Sequence, residues 1–524
     1  MALKKYVNLF DFSQKVNYRT EILAGFTVAM TMIPESLMFA ILAGFPPLVG
    51  LYGAFIMGLV TAIFGGRPGL ISGGAGATVV VVMALMIRLN GLEYVFAAVV
   101  LAGVIQLVVG LLKLGKFIRL VPQPVMFGFV NGLAIIIFMA QLDQFKVGVG
   151  ETVEWMSGTP MYTMLGLVIF TIAVIMIVPK ITKAVPASLI AIIVVFAVVY
   201  FLGIDTKQVV DIINKDTLPD EPIKSLSGSL PEFRIPNVPM SWETLKVIFP
   251  FGLTMAAVGL TEGLLTLNLV DEITDTKGNS NRECLAQGSA NILNGFFGGM
   301  GGCPMIAQTL VNLSAGSRAR LSGIIAALTI LVIILVGAPV IELLPIAALV
   351  GVMVMVSIGT FEWASFKAFR RMPKSDIFVM VLVTLITVFL HNLALAVLIG
   401  VIISALVFAW ESAKRIRARK HVDENGVKHY EIYGPLFFGS VTTFNEKFDV
   451  ENDPEEVVID FAESKVSDMS AIEALNRLTE RYLKAGKKLH LKHLSGDCKR
   501  LLSNAEKVID VNVLEDPTYK VMSN

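Results

Sequence analysis

Long apolar runs separated by short polar breaks fill the chain to about residue 411, and the pattern then stops. Runs long enough to cross a bilayer as helices lie near 22–43, 47–64, 71–88, 93–112, 124–142, 161–178 and 184–203. A second series lies near 245–268, 284–300, 304–313, 319–338, 342–358, 376–391 and 393–410, and two of the runs are short or broken by glycine. The polar stretch 204–242, rich in proline and acids, separates the two series of seven. After Lys420 the pattern becomes that of a water-soluble α/β domain. YEIYGPLFFG and EEVVIDFAES read as strands. SDMSAIEALNRLTERYLKAG reads as a helix with Ile472, Leu475, Leu478 and Leu483 at helical spacing and Gly486 as its cap. KKLHLKHL reads as a further strand and CKRLLSNA as a short helix.

One helix is written twice. Residues 25–37 (GFTVAMTMIPESL) and 252–264 (GLTMAAVGLTEGL) align so that Gly25, Thr27, Ala29, Glu35 and Leu37 fall on Gly252, Thr254, Ala256, Glu262 and Leu264. Each copy holds one carboxylate in an otherwise apolar run. A charged group at the bilayer centre costs about 2.5–3.5 kcal/mol on insertion scales, so such a residue faces a cavity or an ion path. Matched positions in two halves point to a repeat-built carrier with its site between the halves. Pro34 interrupts the helical hydrogen bonding beside Glu35, and a carboxylate next to such a break in low dielectric is able to carry a proton. The bland alternative for Glu35 and Glu262 is a permanently neutral acid bonded to a neighbouring helix. Thr266, one turn beyond Glu262, is a candidate cation or hydrogen-bond partner, with back-bonding to its own helix as the structural alternative.

A second matched pair is GGRPGLISGGAGATVVVVMAL from Gly65 and GGMGGCPMIAQTLVNLSAG from Gly298. Each puts a glycine cluster before a short apolar run, the pattern of unwound backbone leading into a half-helix. Two such helix starts meeting at the midplane offer unpaired N–H groups and two positive dipole ends to an anion. The expected ligand positions are Gly74, Ala75, Gly76, Ala77 and Thr78 on one side, and Pro304, Met305, Ile306, Ala307 and Gln308 on the other. Taken singly, membrane glycines often serve only close helix packing; the paired positions and Pro304 favour a site.

Composition agrees with a membrane protein: 524 residues, 55% apolar, 16% charged, mean hydropathy +0.72. The net charge of +1 gives no reason to expect a nucleic-acid partner. Lys and Arg gather in alternate short loops: Lys4, Lys5, Lys15 and Arg19; Lys113, Lys116 and Arg119; Lys180 and Lys183; Arg318 and Arg320; Lys367, Arg370, Arg371 and Lys374; and Lys414, Arg415, Arg417, Arg419 and Lys420. Fourteen crossings would place all of these on one side, with both termini in the cytoplasm. The opening lacks a hydrophobic core, so no cleaved signal peptide is expected. Cys284, Cys303 and Cys498 show neither metal spacing nor a disulfide framework, and the five histidines show no metal pattern, so no cofactor is expected. His391 at a span boundary reads as interfacial, and Trp363 and Trp410 read as interface anchors. Neither a protease nor a nucleotide-hydrolysis motif is found, so an enzyme is not expected.

LAGFPPLVGLYGAF (42–55), NRECLAQGSANILNGFFGG (281–299) and VNLSAGSRARLSG (311–323) resemble the signature of SulP-type (sulfate permease) inorganic anion transporters. GPLFFGS (434–440) and VVIDFAESKVSDMSAIEAL (457–475) resemble a STAS domain. The resemblance implies an α-helical polytopic membrane protein of about fourteen segments in two inverted seven-segment repeats, forming core and gate domains, usually as a homodimer, plus a small cytoplasmic α/β STAS domain. The expected division is a cytoplasmic segment at 1–21, a transport domain at 22–411 with repeats at 22–203 and 245–411, and a STAS domain at 429–524. It further implies a substrate between the third and tenth segments, an elevator-like movement, proton coupling at the position of Glu35 in some bacterial members, and a cation site at the position of Glu262 in sodium-coupled ones. Localisation in the bacterial inner (plasma) membrane follows from the same resemblance.

The chain departs from the family at two positions. Many members carry arginine where Gln308 stands, and its loss weakens the case for a dianion unless a proton or cation compensates. Sodium-coupled members carry threonine where Ile306 stands, and isoleucine offers no oxygen to a cation, so proton is favoured over sodium. Ser470 matches a serine phosphorylated in soluble STAS relatives and is a candidate regulatory residue; its structural reading is a helix N-cap with Glu473 completing a capping box. The leading expectation is sulfate transport by proton symport or anion exchange, with bicarbonate as the alternative substrate. A passive anion channel, a STAS-linked membrane sensor and a nucleobase permease stay as competitors.

Overall fold

The computed structural model describes residues 17–89, 91–115, 121–147, 154–182, 185–213, 230–368, 371–390 and 393–494. The N-terminal segment to residue 16, His391, Cys498, the helix expected at 498–505, and Lys116, Arg119, Lys183 and Arg370 of the orienting cations lie outside the described residues.

Leaving aside helices of a single turn, the first series forms α1 (Tyr18–Leu42), α2 (Pro47–Phe64), α3 (Gly76–Leu89), α4 (Leu92–Leu111), α5 (Gln123–Leu142), α6 (Thr159–Ile181) and α7 (Ala187–Leu202). The second forms α8 (Trp242–Thr274), α9 (Ser280–Phe296), α10 (Ile306–Ser314), α11 (Leu321–Val336), α12 (Ile346–Thr360), α13 (Lys374–Leu390) and α14 (Leu393–Lys414). Eight helices among the described residues are long and apolar enough to cross a membrane by length and composition. The chain is thus a multi-pass helical membrane protein. Side-chain caps start α1, α8 and α9, where Asn17, Ser241 and Asn279 accept from the N–H three residues on. Pro34 sits inside α1 without ending it, leaving the carbonyl of Met30 without its helical donor.

Packing sorts most of these helices into two groups, with α12 of the second also packing on α1 of the first; the resemblance implies such a division into core and gate. In one, α4 packs on α8 and α9, α2 on α9 and α11, and α1 on α2 and α11. In the other, α5 packs on α12 and α13, and α6 on α7 and α12. Glycine lets α4 and α9 approach closely: a Cβ at Gly103 would lie 2.6 Å from the carbonyl oxygen of Gly288. Charged clamps brace the first group. Both oxygens of buried Glu21 on α1 take bonds from the turn before α11, from the N–H groups of Arg318 (2.7 Å), Ala319 (2.9 Å) and Ser322 (3.1 Å) and the Ser317 hydroxyl (3.0 Å). Arg67, between α2 and α3, pairs with Asp271 at 3.3 Å and donates to the Thr274 and Thr276 hydroxyls at the end of α8. Arg320 donates to the carbonyls of Ala62 and Gly65 at 3.0 and 2.7 Å.

The chain divides into two compact units, 1–401 and 402–524. The second carries a four-stranded sheet in spatial order β3 (Arg417–Val422), β4 (Lys428–Leu436), β5 (Glu456–Val466), β6 (Lys488–Lys492). β3 pairs antiparallel to β4, while β4–β5 and β5–β6 are parallel. The sheet therefore begins before residue 429, the start expected from sequence. Helix α15 (Met469–Lys484) makes the crossover from β5 to β6 and buries Ile472, Leu475, Leu478 and Tyr482. Leu483, expected on that face, is exposed; Tyr482 lies one helical step earlier and takes the place. The N-cap of α15 is Asp468, whose carboxylate accepts from the Ala471 N–H at 2.9 Å. This corrects the reading of Ser470, which lies inside the helix, is exposed and has no capping role. Glu473 pairs with Arg477 at 2.7 Å rather than closing a capping box.

At the heart of this domain the buried Asp453 carboxylate accepts from Lys428 (2.5 Å), Tyr430 (2.7 Å) and Tyr482 (2.5 Å). Burial pushes this carboxyl up, but the bonds from Lys428, Tyr482 and Tyr430 outweigh it and hold the group below the usual carboxylate range. A depressed folded-state pKa gives stability that is present above the unfolded value of 3.8 and is lost as pH falls through the folded one. Asp453→Ala leaves a lysine and two tyrosine hydroxyls without their acceptor and should cost about 3 kcal/mol. Thermal unfolding of the purified protein, followed on the C-terminal domain between pH 7 and pH 3, checks both effects; an unchanged midpoint in the variant would contradict them.

Candidate functional site

The two glycine-led segments do not run as full-length helices. Each starts as a two-residue strand, β1 (Ser72–Gly73) and β2 (Cys303–Pro304), and the strands pair antiparallel with Ser72 opposite Pro304 and Gly73 opposite Cys303. α3 and α10 leave this crossing as the half-helices expected from sequence. Non-helical backbone inside a membrane domain must find partners within the protein, and it does. The Met305 N–H donates to the Ile71 carbonyl at 2.9 Å, and the Ile71 N–H donates to the Thr309 hydroxyl at 3.0 Å. Asn312 donates to the Gly69 carbonyl at 2.9 Å. Asn291 on α9 brackets Gly302, accepting from its N–H at 2.9 Å and donating to its carbonyl at 3.1 Å. The same Asn291 amide donates to the Gln106 side-chain oxygen at 2.8 Å.

At the α3 end, Gly74, Ala75, Gly76, Ala77 and Thr78 are all buried. The Ala75 carbonyl accepts from the N–H groups of Thr78 and Val79, both at 3.1 Å, and from the Thr78 hydroxyl at 2.8 Å. At the α10 end the Met305 carbonyl accepts from the Thr309 N–H at 3.1 Å. The first-turn N–H groups of Gly76 and Ala77, and those of Ile306, Ala307 and Gln308, therefore have no acceptor within their helices. Pro304, Met305 and Gln308 are buried, Ile306 half-buried and Ala307 exposed.

The two carboxylates come to the same place. Glu35, 5% exposed, accepts from the Gln308 side-chain amide. Half-buried Glu262 accepts from the Cys303 thiol at 3.1 Å. Their donors, Gln308 and Cys303, stand five residues apart in one segment of chain. Neither carboxylate forms an ion pair with Lys, Arg or His among the described residues. Thr266 takes the structural alternative: its hydroxyl donates to the Glu262 backbone carbonyl at 2.7 Å, and it makes no bond to either carboxylate among the described residues. The structure thus joins Glu35, Glu262 and both half-helix starts, and leaves Thr266 within its own helix.

Five contributors escaped the sequence reading: Cys303, Asn291, Gln106, Thr309 and Asn312. A signal for some of them was present. Gln287, Asn291 and Asn294 recur at helical spacing along α9, and Gln106 is a buried amide in an otherwise apolar stretch of α4.

A family model described as the sulfate permease family matches residues 18–383, and one described as the STAS domain matches 419–516. The chain belongs to the sulfate permease family. Among relatives, YbaR of Bacillus subtilis is 41% identical over 93% of this chain and 96% of its own, and its name assigns it provisionally to sulfate transport. The bicarbonate transporter BicA of Picosynechococcus is 27% identical over 93% of this chain and 90% of its own. The solved transmembrane domain of a cyanobacterial BicA superposes with TM-score 0.61 at 28% identity, covering 74% of this chain and 98% of that one. The murine anion transporter Slc26a9 in its inward-facing state matches with TM-score 0.79 at 18% identity over 98% of this chain and 93% of its own, which supports the fold. This sulfate permease family member therefore combines the transmembrane fold of its relatives with a C-terminal STAS domain.

Gly302 makes the crossing possible: a Cβ there would sit 1.9 Å from the Gly73 carbonyl oxygen, a contact with backbone that cannot swing away. Gly302→Ala should therefore lower the unfolding temperature and abolish transport, with a cost of at least about 1–3 kcal/mol. Size-exclusion profiles and thermal unfolding of the variant provide the check, and parent-like stability would contradict the packing described.

Proposed function

We propose that this chain is a secondary active transporter of inorganic anions that binds its substrate between the first turns of α3 and α10, with sulfate as the leading substrate. The observation that carries the reading is the antiparallel β1–β2 crossing, which brings two sets of unpaired helix-start N–H groups together beside two carboxylates. Such groups bind an anion without a fixed cation. Membership of the family and the 41% identity to YbaR support sulfate.

Glu35 supplies the coupling in this reading. While ionised, it occupies a donor of Gln308 and sets a negative charge against an incoming anion. Protonation removes that charge and frees the amide to donate to the substrate. Binding of proton and anion are then linked, each raising the affinity for the other. With this site turned alternately to the two sides by movement of the core group against the gate group, the proton gradient drives uptake. A homodimer in the plasma membrane of a bacterium, with both termini cytoplasmic, completes the proposal.

Bicarbonate is the second reading, favoured by one observation: Gln308 stands where the resemblance puts arginine, and the site's ionisable groups are carboxylates. A dianion meets that site at greater electrostatic cost than a monoanion. The BicA relatives, named as bicarbonate transporters, point the same way.

Uptake of labelled sulfate and bicarbonate into proteoliposomes, with and without an inward proton gradient, decides between them. Gradient-stimulated sulfate uptake is expected; bicarbonate uptake without sulfate uptake would transfer the assignment, and absence of both would reject it. Glu35→Gln should remove the gradient-dependent part of uptake while the protein stays folded. Undiminished uptake with unchanged pH dependence would defeat the role given to Glu35.

A further inference from the structure

Both carboxylates are tied to the same short piece of chain. Cys303 in β2 donates to Glu262 on α8, and five residues later Gln308 in the first turn of α10 donates to Glu35 on α1. The matching segment of the first half, 72–78, makes no bond to either carboxylate among the described residues: its Thr78 hydroxyl donates back to Ala75, and the buried Ser72 hydroxyl has no partner there. The two halves are alike in backbone and unlike in this wiring.

We infer that segment 303–308 is the element through which protonation of both carboxylates reaches the anion site, and that Cys303 is a positioning residue acting through Glu262. This rests on the proton-coupled reading above. The thiol is fully buried, so its proton has no water to turn to, and ionised Glu262 gives it a charged acceptor. When Glu262 takes up a proton that charge-assisted bond weakens, and the strand that carries Cys303 loses one of its two ties. When Glu35 takes up a proton the other tie, at Gln308, weakens as well. Only then is segment 303–308 held by the β1 pairing, the Met305–Ile71 bond and the substrate alone. α3 serves as the fixed wall of the site and α10 as its responsive one.

Other ionisable groups lie on the elements packed against α1 and α8, among them Tyr200 on α7. α2 contributes Tyr52, α3 Arg88, and α4 Glu93 and Tyr94. Glu93 accepts from the Asn237 N–H at 2.7 Å. On α9, Arg282 donates to the Phe64 carbonyl at 2.8 Å and Glu283 accepts from the Gly66 N–H at 2.7 Å. Cys284, also on α9, is buried and carries no bond to either carboxylate among the described residues.

The test compares the pH profile of uptake into proteoliposomes for the full-length parent, Cys303→Ala and Cys303→Ser. Removing a donor from a carboxylate disfavours its ionised form, so Cys303→Ala should move the midpoint to higher pH by about one unit, a tenfold change in proton concentration. Cys303→Ser restores a donor and should return the midpoint toward that of the parent. A merely structural thiol would lower the rate at every pH and leave the midpoint in place, which would overturn the inference.

A second readout does not depend on transport. The S–H stretching band of Cys303, isolated by subtracting the infrared spectrum of Cys303→Ala or of Cys303→Ser, should change when Glu262→Gln is introduced. A band insensitive to Glu262 overturns the assignment. If the parent shows no proton-driven uptake while the band responds to Glu262, the coupling reading fails and the Cys303–Glu262 contact survives.

Discussion

Everything in the transport domain hangs on one contact, the two-residue antiparallel pairing of β1 with β2. Unwound backbone inside a membrane protein is tolerated only where its polar groups find partners in the protein or line a cavity. The pairing satisfies one edge of each strand, and Ile71, Thr309, Asn312 and Asn291 satisfy what lies beside it. The first-turn N–H groups of α3 and α10 are left without an acceptor in their own helices. The absence of a side chain at Gly302 allows the close approach, and the charged clamps at Glu21, Arg67 and Arg320 hold the surrounding helices in register.

Electrostatics then sets the character of the site. A membrane transporter for anions could place a fixed cation at its site; the proposed site instead holds two carboxylates and relies on helix starts for attraction. Such a site is hostile to an anion while its acids are charged and welcoming once they are neutral. On the proposed coupling, protonation is then the condition for loading. Gln308 is central to that proposal because its amide would serve either the carboxylate or the substrate, which a permanently charged arginine does less readily.

The sequence carried the frame of this account better than its wiring. The doubled helix with Glu35 and Glu262, and the two glycine-led segments, are local patterns, and each landed where the repeat predicted. The resemblance to sulfate permeases is borne out over residues 18–383 and that to STAS domains over 419–516. Contacts across long separations were not legible: Cys303 reads as an isolated thiol until the crossing puts it against Glu262, and Asn291 reads as one more polar residue until Gly302 is beside it. Competition between neighbours defeated other readings. Asp468 and Ser470 both suit a helix start, and the carboxylate two residues earlier won. Tyr482 displaced Leu483 from the core because its hydroxyl also reaches Asp453. β3 was hidden because its exposed, basic residues look like a juxtamembrane tail, whereas charge is common on an edge strand.

Hydrogen–deuterium exchange of the reconstituted protein, with and without sulfate or bicarbonate, tests the central claim most directly, because it reads the very N–H groups said to hold the anion. The account predicts that the transported anion slows exchange together in the peptides covering 74–79 and 304–309, and that lowering the pH strengthens this protection beyond the intrinsic effect of pH on exchange. Protection confined to another region, with both half-helix starts unaffected by a transported anion, would contradict it.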